Sequence, residues 1–274
     1  MRNPFVAPTI ARMFLRSGDS SAPDEEFFPF IRLPNGTFKT TRANRMPDID
    51  ARLAGLLKRD SRHYDLLDVA ASSGTCTVEL DEALRSHGIE HAMSASDLTL
   101  HASCLSLLPG RILYCETDHV LQVDVAGLAF PNTPPSRVSG LLFCVARGLI
   151  RLARRIGWSA TPVPLLSAVA RRSSIRFSEG DVFGEVYQAD PARRFDVIRA
   201  ANILSASYFT EEQIKRAVTN LREHLQPHGL LVLVRTENDT NLASIYRLEN
   251  DALELVEHVN GGVEIAPWIA SSNG

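Results

Sequence analysis

The stretch that most constrains the fold of this chain runs from Asp65 to Thr75 and reads Asp-Leu-Leu-Asp-Val-Ala-Ala-Ser-Ser-Gly-Thr. The apolar run from Leu66 to Ala70 is long enough for one buried parallel strand. Four small residues, Ala71 to Gly74, follow, and helical spacing of apolar residues begins after them. A strand, a turn of small residues and a helix bring backbone N–H groups and a helix N-terminus close to a ligand. The stretch therefore predicts a ligand site at the end of a strand.

Composition limits the classes of protein to consider. The chain has 274 residues, of which 45% are hydrophobic, enough for one large domain or one domain with an insertion. A net charge of −3 predicts no general field for a polyanion. The four cysteines lack metal-ligand spacing, which favours a reducing, cytoplasmic location without structural zinc or another metal site. Arginines interrupt the N-terminal apolar residues and no stretch is apolar enough to span a bilayer, so we expect neither a signal peptide nor a membrane span.

Strands and helices alternate along most of the chain. A helix closed by Gly88 follows the first strand, and a second strand, Ala92 to Ser96, ends at Asp97. Residues 101–173 interrupt the alternation, which then resumes. The later predicted strands are Ile175 to Phe177, Phe195 to Ala200, Leu230 to Val234, and a closing antiparallel pair at Ala243 to Leu248 and Leu253 to Val259. This pattern predicts an α/β sheet with one long insertion.

The interruption, residues 101–173, is interpreted as a largely helical cap inserted between strands two and three. Two β-rich runs around Asp118 and His119 predict a hairpin, and a helix is predicted over residues 138–156. Arginines, Arg147 and Arg151 among them, punctuate this helix. Two interpretations stay open: a core-facing helix with a solvated basic side, or a basic amphipathic helix that binds a membrane or an acidic partner. The apolar residues that define the helix are Val138, Leu141, Leu142, Val145, Leu149, Leu152 and Ile156.

Residues 1–60 are interpreted as an N-terminal arm with a helical lead-in, so the core would comprise residues 61–100 and 174–274. The first 26 residues are rich in Pro, Ser, Asp and Arg, and we expect them to be poorly ordered or laid on another surface. The segment from Thr40 to Arg45 precedes the lead-in helix. It is either a solvated loop or a lid whose arginine reaches an anionic ligand group.

Asp97 stands where a second carboxylate contact to a ligand is expected. It ends the second strand about 20 residues after the turn of small residues, the position of an acid that accepts ribose hydroxyls from a nucleoside-containing cofactor. Leu98 follows it and is included in the predicted site. The alternative interpretation is that Asp97 caps a helix.

Together these elements resemble class I S-adenosylmethionine-dependent methyltransferases over about Asp60 to Ile265. The resemblance implies a Rossmann-like, doubly wound, seven-stranded sheet, S-adenosylmethionine as the cofactor and methyl transfer as the activity. It is carried by the cofactor loop within Asp65 to Thr75, by Ser94-Ala-Ser-Asp97, by Gly180-Asp-Val182 and by Phe195 to Asn202 with Pro227 to Leu233. It implies cofactor-binding roles for Asp68, Ala70, Ser72, Gly74, Asp97, Leu98, Asp181, Val182 and Asn202. In the family, the acid equivalent to Asp181 and the next N–H meet the adenine.

Two segments are most similar to the chemotaxis-receptor type, which methylates glutamyl carboxylates. They are Ala70-Ala-Ser-Ser-Gly74, and Asn202-Ile-Leu with Tyr208 to Gln213. Thr40-Thr41-Arg42 is similar to a segment that such enzymes place on the cofactor, which adds Arg42 to the predicted cofactor set. The commoner family loop has glycines where this chain has Ala70 and Ser72, and the long insertion is not part of the chemotaxis-receptor pattern.

The predicted catalytic residues lie after the fourth strand, because ligands bind beyond the carboxyl ends of strands in open sheets. Asn202 is predicted to position the acceptor through its amide and Tyr208 to hydrogen-bond it. The segment from Asn202 to Tyr208 contains no Asp, Glu or His, which favours an acceptor that needs no base. A carboxylate on an amphiphilic acid or peptide fits, with Arg45, Arg147 and Tyr208 as predicted substrate contacts. The alternatives are an aromatic plug for Tyr208 and a strand-end turn for Asn202.

Three other functions are weighed. A nicotinamide-dependent oxidoreductase shares the strand, turn, helix and acid, but the Gly-x-Gly-x-x-Gly pattern is missing. A non-catalytic protein would keep the cofactor and use the cap to dock a protein or a membrane. Nucleic-acid modification is disfavoured by the near-neutral charge. The acceptor and the oligomeric state are not fixed by the sequence.

Overall fold

A computed structural model describes residues 8–14, 22–34, 36–40, 42–58, 62–115, 118–132 and 137–270. The helices are α1 (Ile10–Phe14), α2 (Ala22–Phe27), α3 (Pro47–Leu57), α4 (Thr75–Ser86), α5 (Arg137–Arg155), α6 (Ala168–Arg172), α7 (Glu211–Glu223) and α8 (Ala266–Ala270). The strands are β1 (Tyr64–Val69), β2 (His91–Asp97), β3 (His101–Leu107), β4 (Gly110–Tyr114), β5 (Val120–Val125), β6 (Leu128–Pro131), β7 (Thr161–Pro164), β8 (Arg176–Glu179), β9 (Phe195–Ala201), β10 (Leu225–Glu237), β11 (Thr240–Glu249) and β12 (Ala252–Val259).

The chain divides into two compact units, each built from separated segments. One comprises residues 1–42 and 99–172, and we call it the inserted unit. The other comprises residues 43–98 and 173–274, and we call it the sheet unit. The residues interpreted as an N-terminal arm are thus divided, since α3 belongs to the sheet unit and the residues before Ala43 cluster with the insertion.

The sheet unit is built on seven strands in the order β12-β11-β10-β9-β1-β2-β8. Five neighbouring strands are parallel, namely β10, β9, β1, β2 and β8. Strands β11 and β12 complete the sheet as antiparallel neighbours. Side chains alternate between the two faces: Leu67 and Ile198 pack with α7, whereas Asp68 and Arg199 face α3 and α4. With helices on both faces, the predicted Rossmann-like, doubly wound, seven-stranded sheet is confirmed.

The inserted unit corrects the expectation of a largely helical cap. Its centre is a five-stranded antiparallel sheet in the order β6-β5-β4-β3-β7, and α5 covers one face. The predicted hairpin is present as β4 and β5. The insertion occurs where it was expected, between the second and third strands of the larger sheet, because β8 pairs directly with β2. Strands β3, β6 and β7 were not predicted.

The N-terminal segment forms the other layer of the inserted unit. Apolar side chains of residues 10–33 pack on the sheet face opposite α5, together with residues of β3, β4, β5 and β7. The backbone N–H of Ile10 donates to Asp124 Oδ2 at 2.6 Å, and the Gln122 side chain donates to the Pro8 carbonyl at 3.0 Å. The expected arm therefore packs as part of a core where it is described, and residues 1–7 and 15–21 lie outside the described part.

Candidate functional site

Four strand ends of the sheet unit meet at one edge, and the loops that leave them carry most of the predicted cofactor residues. Val69 of β1 pairs with Ser96 of β2 and with Ala200 of β9, and Asp97 pairs with Glu179 of β8. The segments Ala70 to Gly74, Asp97 to Leu98, Gly180 to Val182, and Asn202 onward therefore begin side by side. Ligands of open α/β sheets bind at this carboxyl edge.

The loop after β1 has an alternating backbone conformation. Ala70, Ser72 and Gly74 have φ angles of 58°, 57° and 81°, all in the left-handed region. This region favours glycine, since a Cβ atom there crowds the backbone. The chain thus keeps at Ala70 and Ser72 the conformation that glycine would supply. The loop ends at Gly74, the N-cap of α4, which has no side chain of its own to cap the first helical amides.

Asp97 contacts that loop. The residue is 6% exposed, and its Oδ2 accepts the backbone N–H of Ser72 at 2.8 Å. The backbone carbonyl of Asp97 accepts the N–H of Gly180 at 3.0 Å, which ties the second and third strand ends together. The buried hydroxyl of Ser96 has no hydrogen-bond partner among the described residues. A buried, unpartnered hydroxyl and a carboxylate on consecutive residues suit a polar ligand that carries hydroxyl groups.

Gly180 and Asp181 shape the loop after β8. An ideal Cβ on Gly180 would lie 2.1 Å from the carbonyl oxygen of Val186, so only glycine fits there. Asp181 Oδ1 accepts the N–H of Phe183 at 2.9 Å, which closes a tight turn. Val182 is buried in the core on the α7 side. Asp97 and Asp181 therefore lie at the same edge of the sheet, two residues apart in register.

Asp68 is occupied by protein groups. Both of its carboxylate oxygens accept from the buried guanidinium of Arg199, at 2.8 and 2.7 Å, and Thr77 donates to Oδ2 at 2.6 Å. Arg199 also donates to Asp50 Oδ1 at 2.7 Å. These bonds hold α3 and α4 on the sheet beneath the loop. The described contacts thus make Asp68 a support of the loop, and its predicted contact with a cofactor stays a prediction.

Arg199 was missed by the sequence interpretation. It is 1% exposed in the centre of β9, and burial raises the pKa of Asp50 to about 6 although Arg199 opposes that rise. An arginine between Ile198 and Ala200, in the buried part of the strand, is the sequence feature that would have drawn attention to it, because buried charges require partners.

The side chain of Asn202 is bound by the neighbouring strand, and the catalytic role predicted for it stays a prediction. Its amide oxygen accepts the N–H of Thr236 at 2.7 Å, and its amide nitrogen donates to Thr236 Oγ1 at 3.2 Å. Thr236 in turn donates to Asn241, whose amide donates to the Arg45 carbonyl. With a φ of 59°, Asn202 is a strand-end residue that locks β9 to β10, which was the alternative interpretation.

Tyr208 lies in the turn before α7 and is 64% exposed. It contacts Phe209 edge to face with a centroid separation of 6.5 Å, and Phe209 rather than Tyr208 packs against the core. A carboxylate missed from sequence reaches this turn: Glu264 Oε1 accepts from the Ser205 hydroxyl at 3.0 Å and from the Ala206 N–H at 3.2 Å. Only the tertiary fold brings Glu264 here, so the sequence held no local sign of it.

The remaining predicted residues are spread over both units. Leu98 is exposed beside Asp97, and Arg45 lies in the sheet unit before α3. Arg42 and Arg147 belong to the inserted unit and are exposed, so their contacts with a ligand stay predictions. Within the described residues, no group of His, Cys, Asp and Glu side chains is placed to hold a metal ion. No described helix is long and apolar enough to cross a membrane.

A cleft of about 310 Å³ lies at the opposite, amino edge of the larger sheet. Its polar groups satisfy one another: Asp81 accepts from Arg85 Nε at 2.9 Å and lies 2.8 Å from His91 Nε2. It contains none of the predicted site residues. The carboxyl edge is therefore the candidate site, since backbone conformation, an unpartnered hydroxyl and a carboxylate converge only there among the described sheet ends.

No protein-family model matches the chain, and no curated protein matches it in sequence. Solved structures do. CalS10, an amino pentose methyltransferase from Micromonospora echinaspora, is 15% identical with a TM-score of 0.32, over 74% of this chain and 63% of that chain. The N-methyltransferase NodS from Bradyrhizobium japonicum WM9 is 16% identical with a TM-score of 0.34, over 70% and 62%. PH0226 from Pyrococcus horikoshii OT3 is 13% identical with a TM-score of 0.36, over 82% and 78%.

This chain spans a little under two thirds of the length of the first two of these proteins. All three TM-scores are below 0.5, so these similarities do not assign a function to this chain. The likeness to the chemotaxis-receptor type stays a prediction.

Proposed function

We propose that the sheet unit binds S-adenosylmethionine at its carboxyl edge and that the protein is a methyltransferase acting on a small-molecule or peptide acceptor. The observation that carries the proposal is the loop after β1, which alternates left-handed residues at Ala70, Ser72 and Gly74 and is held to the Asp97 carboxylate. Two of the three left-handed positions are not glycine, so the loop keeps this conformation despite the crowding of their Cβ atoms.

The residues at this edge fit such a ligand. The amides at the N-terminus of α4, which follow the glycine N-cap Gly74, suit the carboxylate of its methionine part. Asp97 suits the ribose hydroxyls, and Asp181 with the Val182 N–H suits the adenine. When bound, the cofactor supplies a methyl group attached to a positively charged sulfur. The contribution of the chain is to align the acceptor and to exclude water.

For the acceptor we propose a carboxylate on an amphiphilic acid or peptide, methylated on oxygen. A carboxylate is ionised at neutral pH and needs no general base. Glu264 is the carboxylate that reaches the turn after β9, and it already accepts hydrogen bonds from Ser205 and Ala206. This supports an acceptor that does not require a general base. Arg45, Arg147 and Tyr208 are the proposed substrate contacts. The proposed location is the cytoplasm, which the four free cysteines support.

Calorimetric titration tests the cofactor assignment. Asp97→Asn keeps an oxygen for the Ser72 N–H but removes the charge, and we expect it to weaken S-adenosylhomocysteine binding about tenfold, or 1.4 kcal/mol. Asp190→Asn is the matched control, because Asp190 is an exposed aspartate in the loop after Gly180. Binding of a nicotinamide dinucleotide in place of S-adenosylhomocysteine would identify an oxidoreductase and contradict the proposal.

Transfer of labelled methyl groups to a panel of amphiphilic acids, amines and alcohols tests the acceptor. We expect base-labile methyl esters, with turnover reduced in Arg45→Ala and Arg147→Ala. Base-stable products would exclude carboxylate methylation but leave the cofactor assignment intact. Cofactor binding with no product across the whole panel would identify a non-catalytic binding protein.

A further inference from the structure

Among its described side chains, helix α5 presents three different faces, and one of them packs on the sheet. The buried face consists of Phe143, Ala146, Ile150 and Ala153, which pack on β3, β4 and β5. Of the residues that define the apolar pattern in the sequence, Leu142 packs against this cluster. The expectation of a core-facing helix is therefore confirmed for one face, whereas Leu141, Val145, Leu149, Leu152 and Ile156 are exposed.

The second face is an exposed apolar stripe, defined here as Leu141, Val145, Leu149, Leu152 and Ile156. Their exposed fractions are 70%, 52%, 37%, 52% and 62%, and their spacing of three or four residues places them in one row. Trp158, 50% exposed, follows just after the helix. A continuous row of large apolar side chains in contact with water marks an interaction surface, since isolated exposed residues are common but contiguous patches are not.

The third face carries arginines. Arg147, Arg151, Arg154 and Arg155 follow one another along the helix at spacings of four, three and one residues. Asp118 pairs with Arg154 at 2.6 Å and with Arg151 at 3.8 Å. No ion pair is described for Arg147 or Arg155. The chain contains no Asp or Glu between Asp124 and Glu179, so the whole helix and its flanks are positively charged.

We propose that the apolar stripe and the arginines of α5 dock the protein on an anionic lipid surface. A helix that lies in a membrane interface places leucine, valine and tryptophan among the acyl chains and arginines at the headgroups. Both features occur side by side on α5. The inserted unit supplies a rigid base, because the buried face of the helix packs on its sheet.

The positive charge of α5 argues against a second copy of this chain as the occupant. A second copy of this chain, related by two-fold symmetry, would bring the same arginines together with no carboxylate on the helix to neutralise them. A negatively charged bilayer complements every arginine at once. Each arginine near such a surface contributes about 1 kcal/mol to binding, equivalent to about a fivefold change in affinity.

Flotation of the full-length protein with vesicles tests the docking. We expect binding to phosphatidylcholine vesicles that contain phosphatidylglycerol, and little binding to phosphatidylcholine alone. Val145→Asp combined with Leu152→Asp should reduce the binding at least tenfold without affecting folding, since both side chains are exposed. Leu255→Asp is the control, because Leu255 is 49% exposed in the sheet unit.

The charge contribution has its own pair of variants. Arg147→Gln and Arg155→Gln should each lower the affinity for the anionic vesicles about fivefold, and added salt should weaken binding in the same way. Arg216→Gln removes an exposed arginine from α7 of the sheet unit and should leave binding unchanged. In Trp268→Phe, Trp158 is the one remaining tryptophan, and its emission should shift to shorter wavelength on the vesicles.

Several results would overturn the proposal. No vesicle binding, equal binding to neutral vesicles, or binding that survives Val145→Asp with Leu152→Asp would each do so. Binding of polyglutamate in place of vesicles would identify an acidic protein partner. A wild-type dimer that the double variant converts to monomers would show that the stripe joins two copies of the chain.

Discussion

Ala70 is held with a φ of 58°, where a Cβ atom costs about 1–2 kcal/mol. The residue remains in that conformation because the loop is fixed at both ends: the Ala71 N–H donates to the Ser96 carbonyl at 2.9 Å, and the Gly74 N–H donates to the Ala71 carbonyl at 2.8 Å. Strain of this kind is found mostly at ligand-binding loops. Its presence can be tested without any ligand.

Ala70→Gly should raise the melting temperature, since relief of the crowded Cβ exceeds the extra entropy that glycine gives the unfolded chain. We expect a net gain of about 0.5–1 kcal/mol. The matched control is Ala71→Gly, one residue along, where φ is not positive and glycine should cost about 0.5–1 kcal/mol. Equal losses in both variants would show that the loop is not strained at Ala70.

The buried set of Asp50, Asp68 and Arg199 predicts a dependence of stability on pH. One arginine lies between two carboxylates, so a proton on Asp50 completes the neutralisation, and burial raises its pKa from 3.8 to about 6. The folded state then binds this proton more tightly than the unfolded chain. The stabilisation is full below pH 3.8 and is lost as pH rises through about 6.

Asp50→Asn removes that titration while an amide oxygen still accepts from Arg199. The difference in unfolding free energy, wild type minus Asp50→Asn, should fall by about 2–3 kcal/mol between pH 4 and pH 7. Urea unfolding at a series of pH values measures it. A difference that does not change with pH would contradict a raised pKa for Asp50.

At the scale of elements, the turn after β8 depends on one close approach. Gly180→Ala would force a Cβ into the Val186 carbonyl, and we expect a loss of about 1–3 kcal/mol with weaker cofactor binding. Gly184→Ala is the control in the same loop, since the nearest atom to its added Cβ is 3.9 Å away. Thermal unfolding and calorimetry measure both effects, and equal behaviour of the two variants would contradict the packing argument.

Elements that depend on local sequence were predictable. The capping box of α7 is an example of a feature encoded locally: the Gln213 N–H donates to Thr210 Oγ1 at 3.3 Å, and the Thr210 N–H donates to the Gln213 side chain at 2.9 Å. Buried strands such as β1 and β9 were recognisable from short apolar runs. These features are encoded within a few residues, so no knowledge of distant contacts was needed.

Elements that depend on distant partners were not predictable. Helical periodicity located α5 to within one residue at each end, but it could not say which apolar row the sheet would cover. Strands β3 and β7 are separated in the sequence by three strands and a helix, yet they pair from His101 with Pro164 to Cys104 with Thr161. No local sequence pattern predicts that pairing. The largely helical cap was wrong for this reason.

The same distinction applies to the candidate site. Strand order placed Asp97 and Asp181 at one edge, and the structure agrees. The hydrogen-bond partners of the side chains could not be derived from the strand order. Asn202 accepts a hydrogen bond from Thr236, and Asp68 accepts one from Arg199. Their partners lie 34 and 131 positions away in the chain.

At the scale of the whole molecule, the N-terminal segment is fixed to the inserted unit by buried hydrogen bonds. Asp124→Ala would leave the Ile10 N–H without its acceptor and remove one of the two acceptors of the Gln122 amide, at a cost of about 1–3 kcal/mol. We expect trypsin to cleave after Arg12 faster in this variant, with the fragments identified by mass spectrometry. Asp190→Ala should leave the cleavage rate unchanged, and an unchanged rate in Asp124→Ala would show that the segment is not held there.

The interleaved segments of the two units also set an order for biosynthesis. Residues 10–33 leave the ribosome well before the strands on which their apolar side chains pack, which lie within residues 101–164. Strands β1 and β2 are likewise translated long before β8, β9 and β10 can join them. Neither unit can complete its core until the nascent chain has passed the end of the insertion. The apolar side chains of the early segments are therefore exposed to solvent, without their packing partners, for much of translation.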